Sequence, residues 1–197
     1  MQNRYELIAF DIDGTLCQSG RTLTPEQLEL ITLSDPESFR EQDKSGFNYS
    51  AFPGVVDTIK ALAGVRRGII SNGFGRRQRN KLILTGLDDL FDPIYISEDF
   101  ACSFFEEAYT ADRKKEFERE IEKPSPIMMM RMNLMTRTLA SRSLYVGNTD
   151  EDHRTARASG WDFLRIRDPD PKYSAIGVDG AIAVIDQNRF HEILEYI

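Results

Sequence analysis

Phe10-Asp11-Ile12-Asp13-Gly14-Thr15-Leu16 closes the apolar run Tyr5–Phe10 with two carboxylates two residues apart. The run is short and ends in a polar turn, so it reads as a buried strand. Asp11 and Asp13 then lie just past the strand's carboxyl end. Both reach one crevice if the backbone bends there, and Gly14 permits the bend. A carboxylate in such a place can attack phosphorus and form an aspartyl-phosphate, splitting one hard step into two. A second carboxylic acid nearby can protonate the leaving oxygen and later deprotonate water. Two acids so close together also attract a hard cation such as Mg²⁺.

Outward from this strand the chain alternates. Thr24-Pro25-Glu26-Gln27 opens a helix, with Thr24 as N-cap, Pro25 in the first turn and Gln27 completing a capping box. Asp35 to Ser50 is polar and irregular. Pro53–Leu62 reads as a helix, Arg67–Ile70 as a strand, Gly75–Leu84 as a basic amphipathic helix and Pro93–Ser97 as a third strand. Phe104–Glu122 is dense in charge and reads as a solvated helix. Ser125–Ala140 is a methionine-rich helix whose Met128-Met129-Met130 run suits core filling. Ser143–Val146, Asp162–Ile166 and Ala181–Ile185 read as further strands, with helices at Asp152–Ser159 and Arg189–Tyr196. This alternation predicts an α/β fold, a doubly wound, Rossmann-like parallel sheet with helices on both faces. Ligands of such sheets bind beyond the carboxyl ends of the strands, where Asp11 and Asp13 fall.

The 197 residues suit a single core domain, 1–197, with a small cap at 17–51 and a possible second insertion at 101–122. An apolar fraction of 41% beside 29% charged residues is an ordinary globular balance, so no disulfide or metal is needed merely to fold. The net charge of −7 argues against general nucleic-acid or anionic-membrane binding. No run approaches the ~18 apolar residues of a membrane helix, and the polar start, Met1 to Arg4, precedes no apolar signal region. Cys17 and Cys102 form no metal-type pair. A reducing, cytoplasmic setting with no membrane partner follows. Cys17 lies near the acids, but a free Cys is more often small, buried and inert.

Three further stretches carry candidate chemistry, two of them just past predicted strands and one between two predicted helices. Ile69-Ile70-Ser71-Asn72-Gly73 offers a hydroxyl and backbone N–H groups to a phosphate oxygen. Lys123-Pro124-Ser125-Pro126 puts a cation before a helix, where it would neutralise phosphate and position a nucleophile. Val146-Gly147-Asn148-Thr149-Asp150-Glu151-Asp152 is an acidic turn. In this order, together with Asp11-Ile12-Asp13-Gly14-Thr15-Leu16, they resemble the motifs of the haloacid dehalogenase superfamily over Tyr5 to Ile166. The resemblance implies phosphoryl transfer with Mg²⁺. Asp11 would be nucleophile and Asp13 acid and base. Ser71, Asn72, Gly73 and Lys123 would bind the phosphate, and Asp11, Asp13, Asn148 and Asp152 the metal. The family usually carries Asp where this chain has Asn148. Asn148 would then ligate through its amide oxygen, with Asp150 or Asp152 compensating for the missing charge.

Within that family, Asp at position 13 goes with phosphate-ester chemistry; the related dehalogenases usually lack it. The expected activity is a phosphomonoester hydrolase acting on a small phosphorylated metabolite, a sugar phosphate or nucleotide. A phosphomutase fits the same residues, though the short cap opposes it, since a mutase must keep its intermediate from water. A non-catalytic binding protein of the same fold also fits, and Asn148 favours it. Arg76, Arg77, Arg79 and Lys81 read as a solvated helix face, or as a site for a second phosphate. His153 reads as structural or exposed, or else as a substrate contact.

Overall fold

The computed structural model describes residues 3–18, 22–62, 64–103, 111–167 and 180–197. Its strands are β1 (Leu7–Phe10), β2 (Arg66–Ser71), β3 (Ile94–Ile96), β4 (Ser143–Gly147), β5 (Asp162–Arg167) and β6 (Ala183–Asp186). They form one sheet in the order β3-β2-β1-β4-β5-β6. Each neighbouring pair is parallel. This is a doubly wound α/β fold, and its order reverses at β1, the strand that leads into Asp11.

Side chains alternate across the sheet. Ile8, Phe10, Ile69, Leu144, Val146, Leu164 and Ile166 point to one face, into a core with Val55, Ile59, Leu82 and Phe190. Those partners come from α3 (Val55–Ala61), α4 (Gly75–Thr85) and the closing 3-10 helix Gln187–Tyr196. Leu7, Ala9, Ile70, Tyr145 and Phe163 point to the other, against Phe100, Ile121, Met128, Met129, Met132 and Ala156. Those lie on α5 (Ser97–Cys102), α6 (Ala111–Ile121), α7 (Ile127–Thr136) and α8 (Asp150–Ser159). Met128 and Met129 fill core, whereas Met130 is exposed.

Local chemistry explains several boundaries. In α1 (Pro25–Leu33), Thr24 Oγ1 accepts from the Gln27 N–H at 3.2 Å and Gln27 Oε1 accepts from the Thr24 N–H at 3.0 Å. The stretch Asp35 to Ser50, read as irregular, contains a second helix, α2 (Pro36–Arg40). Asp35 caps it, accepting from the Ser38 N–H at 3.3 Å, and Phe39 buries its face. β3 ends at Ile96, and Ser97, expected to close that strand, instead opens α5. α7 stops at Thr136, short of the expected Ala140, where Arg137 turns left-handed at φ 58°.

The stretch expected to cap the site carries α1 and α2. α1 and α2 rest on α4, with Ile31 and Phe39 in the core. Residues 19–21 of that stretch lie outside the described residues, as do 104–110 of the second expected insertion and Met1 and Gln2 of the polar start. No helix among the described residues is long and apolar enough to cross a membrane.

Candidate active site

Asp11 continues the β1 ladder by one residue, its N–H donating to the Val146 carbonyl at 3.0 Å. Its side chain is 9% exposed. Oδ1 accepts from Lys123 Nζ at 2.7 Å and from Ser71 Oγ at 3.1 Å. Oδ2 has no hydrogen-bond partner among the described residues. Ser71 ends β2 beside β1, so the two neighbouring strands deliver nucleophile and hydroxyl to the same point.

Lys123 sits in the loop between α6 and α7, and Asn72 fixes it there. Asn72 Oδ1 accepts from the Lys123 N–H at 2.9 Å, and Asn72 Nδ2 donates to the Lys123 carbonyl at 3.3 Å. The ammonium donates to Asp11, to Asp152 Oδ1 at 2.6 Å and to Tyr145 Oη at 3.2 Å. Tyr145 in turn donates to the Ile70 carbonyl at 2.7 Å. Asp152 Oδ2 accepts from the N–H groups of Asn148 and Thr149 at 3.1 and 3.0 Å and from Thr149 Oγ1 at 2.7 Å. This capping box starts α8 at Asp150, two residues before the expected start. Gly147 makes the fold-back possible, since a Cβ there would lie 2.6 Å from that of Asp152.

Charge sharing sets the titration of this cluster. Burial would push Lys123 down, but Asp11 and Asp152 outweigh it and hold it well above its ordinary value. Burial would raise Asp152, but Lys123 and Thr149 hold it below the usual carboxylate range. Burial pushes Asp11 up to about 6; Lys123 opposes the rise, while Asp152 and Asp13 add to it. One lysine divided between two buried carboxylates leaves Asp11 the less compensated of the two.

Asp13 lies in a second network, joined to the first through Gln78 Nε2, which lies 3.5 Å from Ser71 Oγ and donates to the Asn72 carbonyl at 3.0 Å. Lys81 Nζ donates to its two oxygens at 2.7 and 2.6 Å. Gln78 Nε2 donates to Oδ2 at 3.1 Å and Tyr49 Oη to Oδ1 at 3.4 Å. Gln78 and Lys81 are three residues apart on α4, so one helix face presents both. Cys17 sits behind Tyr49, 3.0 Å from its hydroxyl. It is fully buried, and burial first and Asp13 second push its thiol up to about 12. The inert reading of Cys17 suits this setting.

The acidic turn at β4 differs from its expected metal-binding form. Asn148 folds over Gly14, where φ is +77° and a Cβ would collide with Asn148 Nδ2. Its Oδ1 accepts from Thr15 Oγ1 at 3.3 Å. Asp150 Oδ1 accepts from Arg165 Nη1 at 2.9 Å, and the same guanidinium donates through Nη2 to the Asn148 carbonyl at 3.1 Å. Asp152 and Asp13 each have both oxygens committed within the protein. Among the described residues, no group of three or more His, Cys, Asp or Glu could hold a metal. The donors therefore do not fit the Mg²⁺ site that the resemblance implies. Asp152 anchors a lysine instead, and Asp150 is paired with Arg165 rather than free to compensate.

Two phosphate-binding expectations also change. The Asn72 side chain holds the Lys123 backbone, and the Gly73 N–H donates to Ser97 Oγ at 2.9 Å. Ser71 and Lys123 stand at Asp11 as expected. The basic helix does not act as one patch. Arg76 binds the Leu33 carbonyl, Arg77 binds Thr32, Arg79 pairs with Asp99, and Lys81 turns inward. His153 stacks on Phe163, with ring centroids 5.1 Å apart. Sequence reasoning missed Gln78, Tyr49, Tyr145 and Arg165, and it named Lys81 only as one charge of the basic helix. The one available signal was the three-residue spacing of Gln78 and Lys81 just after the Ser71 turn.

No family model matches this chain, and no curated protein matches its sequence. Its fold has many solved counterparts. A haloacid dehalogenase-like protein of unknown function from Agrobacterium tumefaciens is 19% identical, over 97% of this chain and 96% of that one, with a TM-score of 0.63. A predicted phosphoglycolate phosphatase from Haemophilus somnus is 16% identical over 99% of each chain, with a TM-score of 0.66. CbbY from Rhodobacter sphaeroides, solved with phosphate, is 16% identical over 96% of each, with a TM-score of 0.61.

Proposed function

We propose that this chain uses its haloacid dehalogenase-like fold to hydrolyse phosphomonoesters through a phosphorylated Asp11, acting in the cytoplasm on a small phosphorylated metabolite. One observation carries the reading. Asp11 is buried at the carboxyl end of β1, with one oxygen held by Lys123 and Ser71 and the other without a partner. A structural carboxylate would have both oxygens satisfied, as Asp152 has. Two of the neighbours named above, the Haemophilus phosphatase and the phosphate-bound CbbY, support the same chemistry.

The proposed cycle has two steps. Oδ2 of Asp11 attacks phosphorus in line, and the bond to the leaving oxygen breaks. Asp13, two residues on, gives that oxygen a proton from its acid form and is left as the carboxylate that Lys81 holds. A water then attacks the aspartyl-phosphate, gives its proton to Asp13, and phosphate leaves with Asp11 regenerated. Lys123 fixes the attacking carboxylate throughout, so little motion is needed at the moment of reaction. Transfer of this kind depends mostly on positioning and charge.

The test is phosphate release from an aryl phosphate ester by the wild type and by Asp11→Asn, with intact-protein mass spectrometry of quenched reactions. Turnover and a phosphate adduct, both absent in the variant, are expected. The Lys81 clamp on Asp13 and the neutral Asn148 favour a second reading, a non-catalytic phosphate-binding protein. Saturable phosphate binding with neither turnover nor adduct would select it.

A further inference from the structure

The cations of the site are arranged for a purpose that the motifs do not supply. Four carboxylates, Asp11, Asp13, Asp150 and Asp152, line the carboxyl ends of β1 and β4. Three cations are paired with them: Lys123 with Asp11 and Asp152, Lys81 with Asp13, and Arg165 with Asp150. The side chains of Lys81 and Arg165 are only 4% and 3% exposed. They arrive from opposite sides of β1, Lys81 on the helix after β2 and Arg165 on β5. Buried cations are costly unless paired, so neither position is a surface accident.

We infer that Lys81 and Arg165, with the neutral Asn148, take the place of the divalent cation, so that the site accepts a phosphate dianion without one. The inference rests on the phosphoester reading above and deepens it. A crevice with four carboxylates and Lys123 alone would repel a phosphate unless a metal ion neutralised it. With Lys81 and Arg165 in place the carboxylates exceed the cations by one. Among the described residues an incoming Mg²⁺ would meet two unpartnered carboxylate oxygens, Asp11 Oδ2 and the outer Oδ2 of Asp150, whose other oxygen Arg165 already holds, beside a neutral amide. That is little return for an ion that dehydrates reluctantly and requires near-octahedral oxygen ligation. Of the two built-in cations, Lys81 has the closer bearing on phosphate, because its partner Asp13 belongs to the same turn as Asp11.

Titration calorimetry tests this on the full chain. Inorganic phosphate is added in EDTA and again in excess Mg²⁺, and Mg²⁺ is added alone, for the wild type, Lys81→Gln and Asn148→Asp. Circular dichroism checks that each variant is folded. The wild type is expected to bind phosphate with affinities that agree within about twofold in the two buffers, and to show no saturable Mg²⁺ heat up to about 10 mM. Lys81→Gln should lose at least about tenfold in phosphate affinity in EDTA. Asn148→Asp, nearly isosteric, should gain at least about tenfold in Mg²⁺ affinity, and its phosphate binding should become Mg²⁺-dependent. Wild-type phosphate binding that appears only with Mg²⁺ would overturn the inference and leave the phosphoester reading standing. Undiminished phosphate affinity in folded Lys81→Gln would overturn it too. Phosphate binding in neither buffer would remove both readings together.

Discussion

Two buried lysines hold two carboxylates of one motif, and they do so differently. Lys123 serves Asp11 and Asp152 together, and both partners are almost wholly buried. Lys81 serves Asp13 alone, whose side chain is 31% exposed. The first is a junction on which three elements depend: the end of β1, the start of α8 and the loop before α7. The second is a clamp between one helix and one turn, open to water on one side. A shared, enclosed cation ties the stability of the fold to the charge of the nucleophile. A private, half-open one adjusts the site at less structural risk.

The largest expected effect breaks this comparison or sustains it. Lys123→Met leaves two carboxylates uncompensated in the interior, and it should cost about 3–5 kcal/mol in urea unfolding. Turnover should fall by at least about 10²–10³-fold, since the cation beside the nucleophile is lost. Lys81→Met should cost about 1–2 kcal/mol, because water reaches Asp13 and screens its charge. Equal losses in the two variants would mean that sharing and enclosure do not matter here.

A smaller effect concerns Asp11 itself. Its carboxyl is raised to about 6 because burial outweighs Lys123. A group raised in the folded state favours folding fully below its unfolded value, and that contribution is lost as pH climbs through about 6. The ionised nucleophile therefore weakens the fold at neutral pH. Asp11→Asn, which cannot ionise, should be more stable than the wild type at pH 7.5 by about 1–3 kcal/mol. The difference should shrink toward pH 5. Turnover by the wild type should fall on the acid side as pH drops through the same value. A stability difference that does not change between these pH values would show that Lys123 compensates Asp11 fully, contrary to its division between two carboxylates.

The unequal legibility of the two lysines has a physical cause. Lys123 precedes a helix and stands in a recognisable order after Asp11 and Ser71, so position along the chain carried the information. The strands were legible for a similar reason: short apolar runs such as Leu7–Phe10 are buried on both faces whatever surrounds them. Lys81 lies within Arg76-Arg77-Gln78-Arg79-Asn80-Lys81, where every side chain is polar and periodicity cannot mark the inward face. Only the packing of α4 beside β1 selects it. Arg165 alternates with apolar neighbours in β5, and nothing local announces that it meets Asp150 fifteen positions away. α2 is a different case, because its Asp35-Pro36 start repeats the Thr24-Pro25 cap that marks α1 in the sequence.

The smallest expected effect sharpens the comparison at its most buried point. Tyr145 is the neutral third partner of Lys123, and among the described residues Lys81 has no counterpart to it. Its hydroxyl donates to the Ile70 carbonyl and lies 3.3 Å from Asp152 Oδ1. Burial raises its phenol well above the ordinary value, Lys123 opposing and Asp152 adding to the rise, so it stays a neutral donor. Tyr145→Phe keeps the ring against Phe163 but strands the Ile70 carbonyl and one N–H of Lys123. Thermal unfolding should show a loss of about 1–2 kcal/mol. Turnover should change by only a few-fold, because both charged partners of Lys123 remain in place. A loss of turnover as large as that in Lys123→Met would mean that the hydroxyl, rather than the two carboxylates, sets where the ammonium sits.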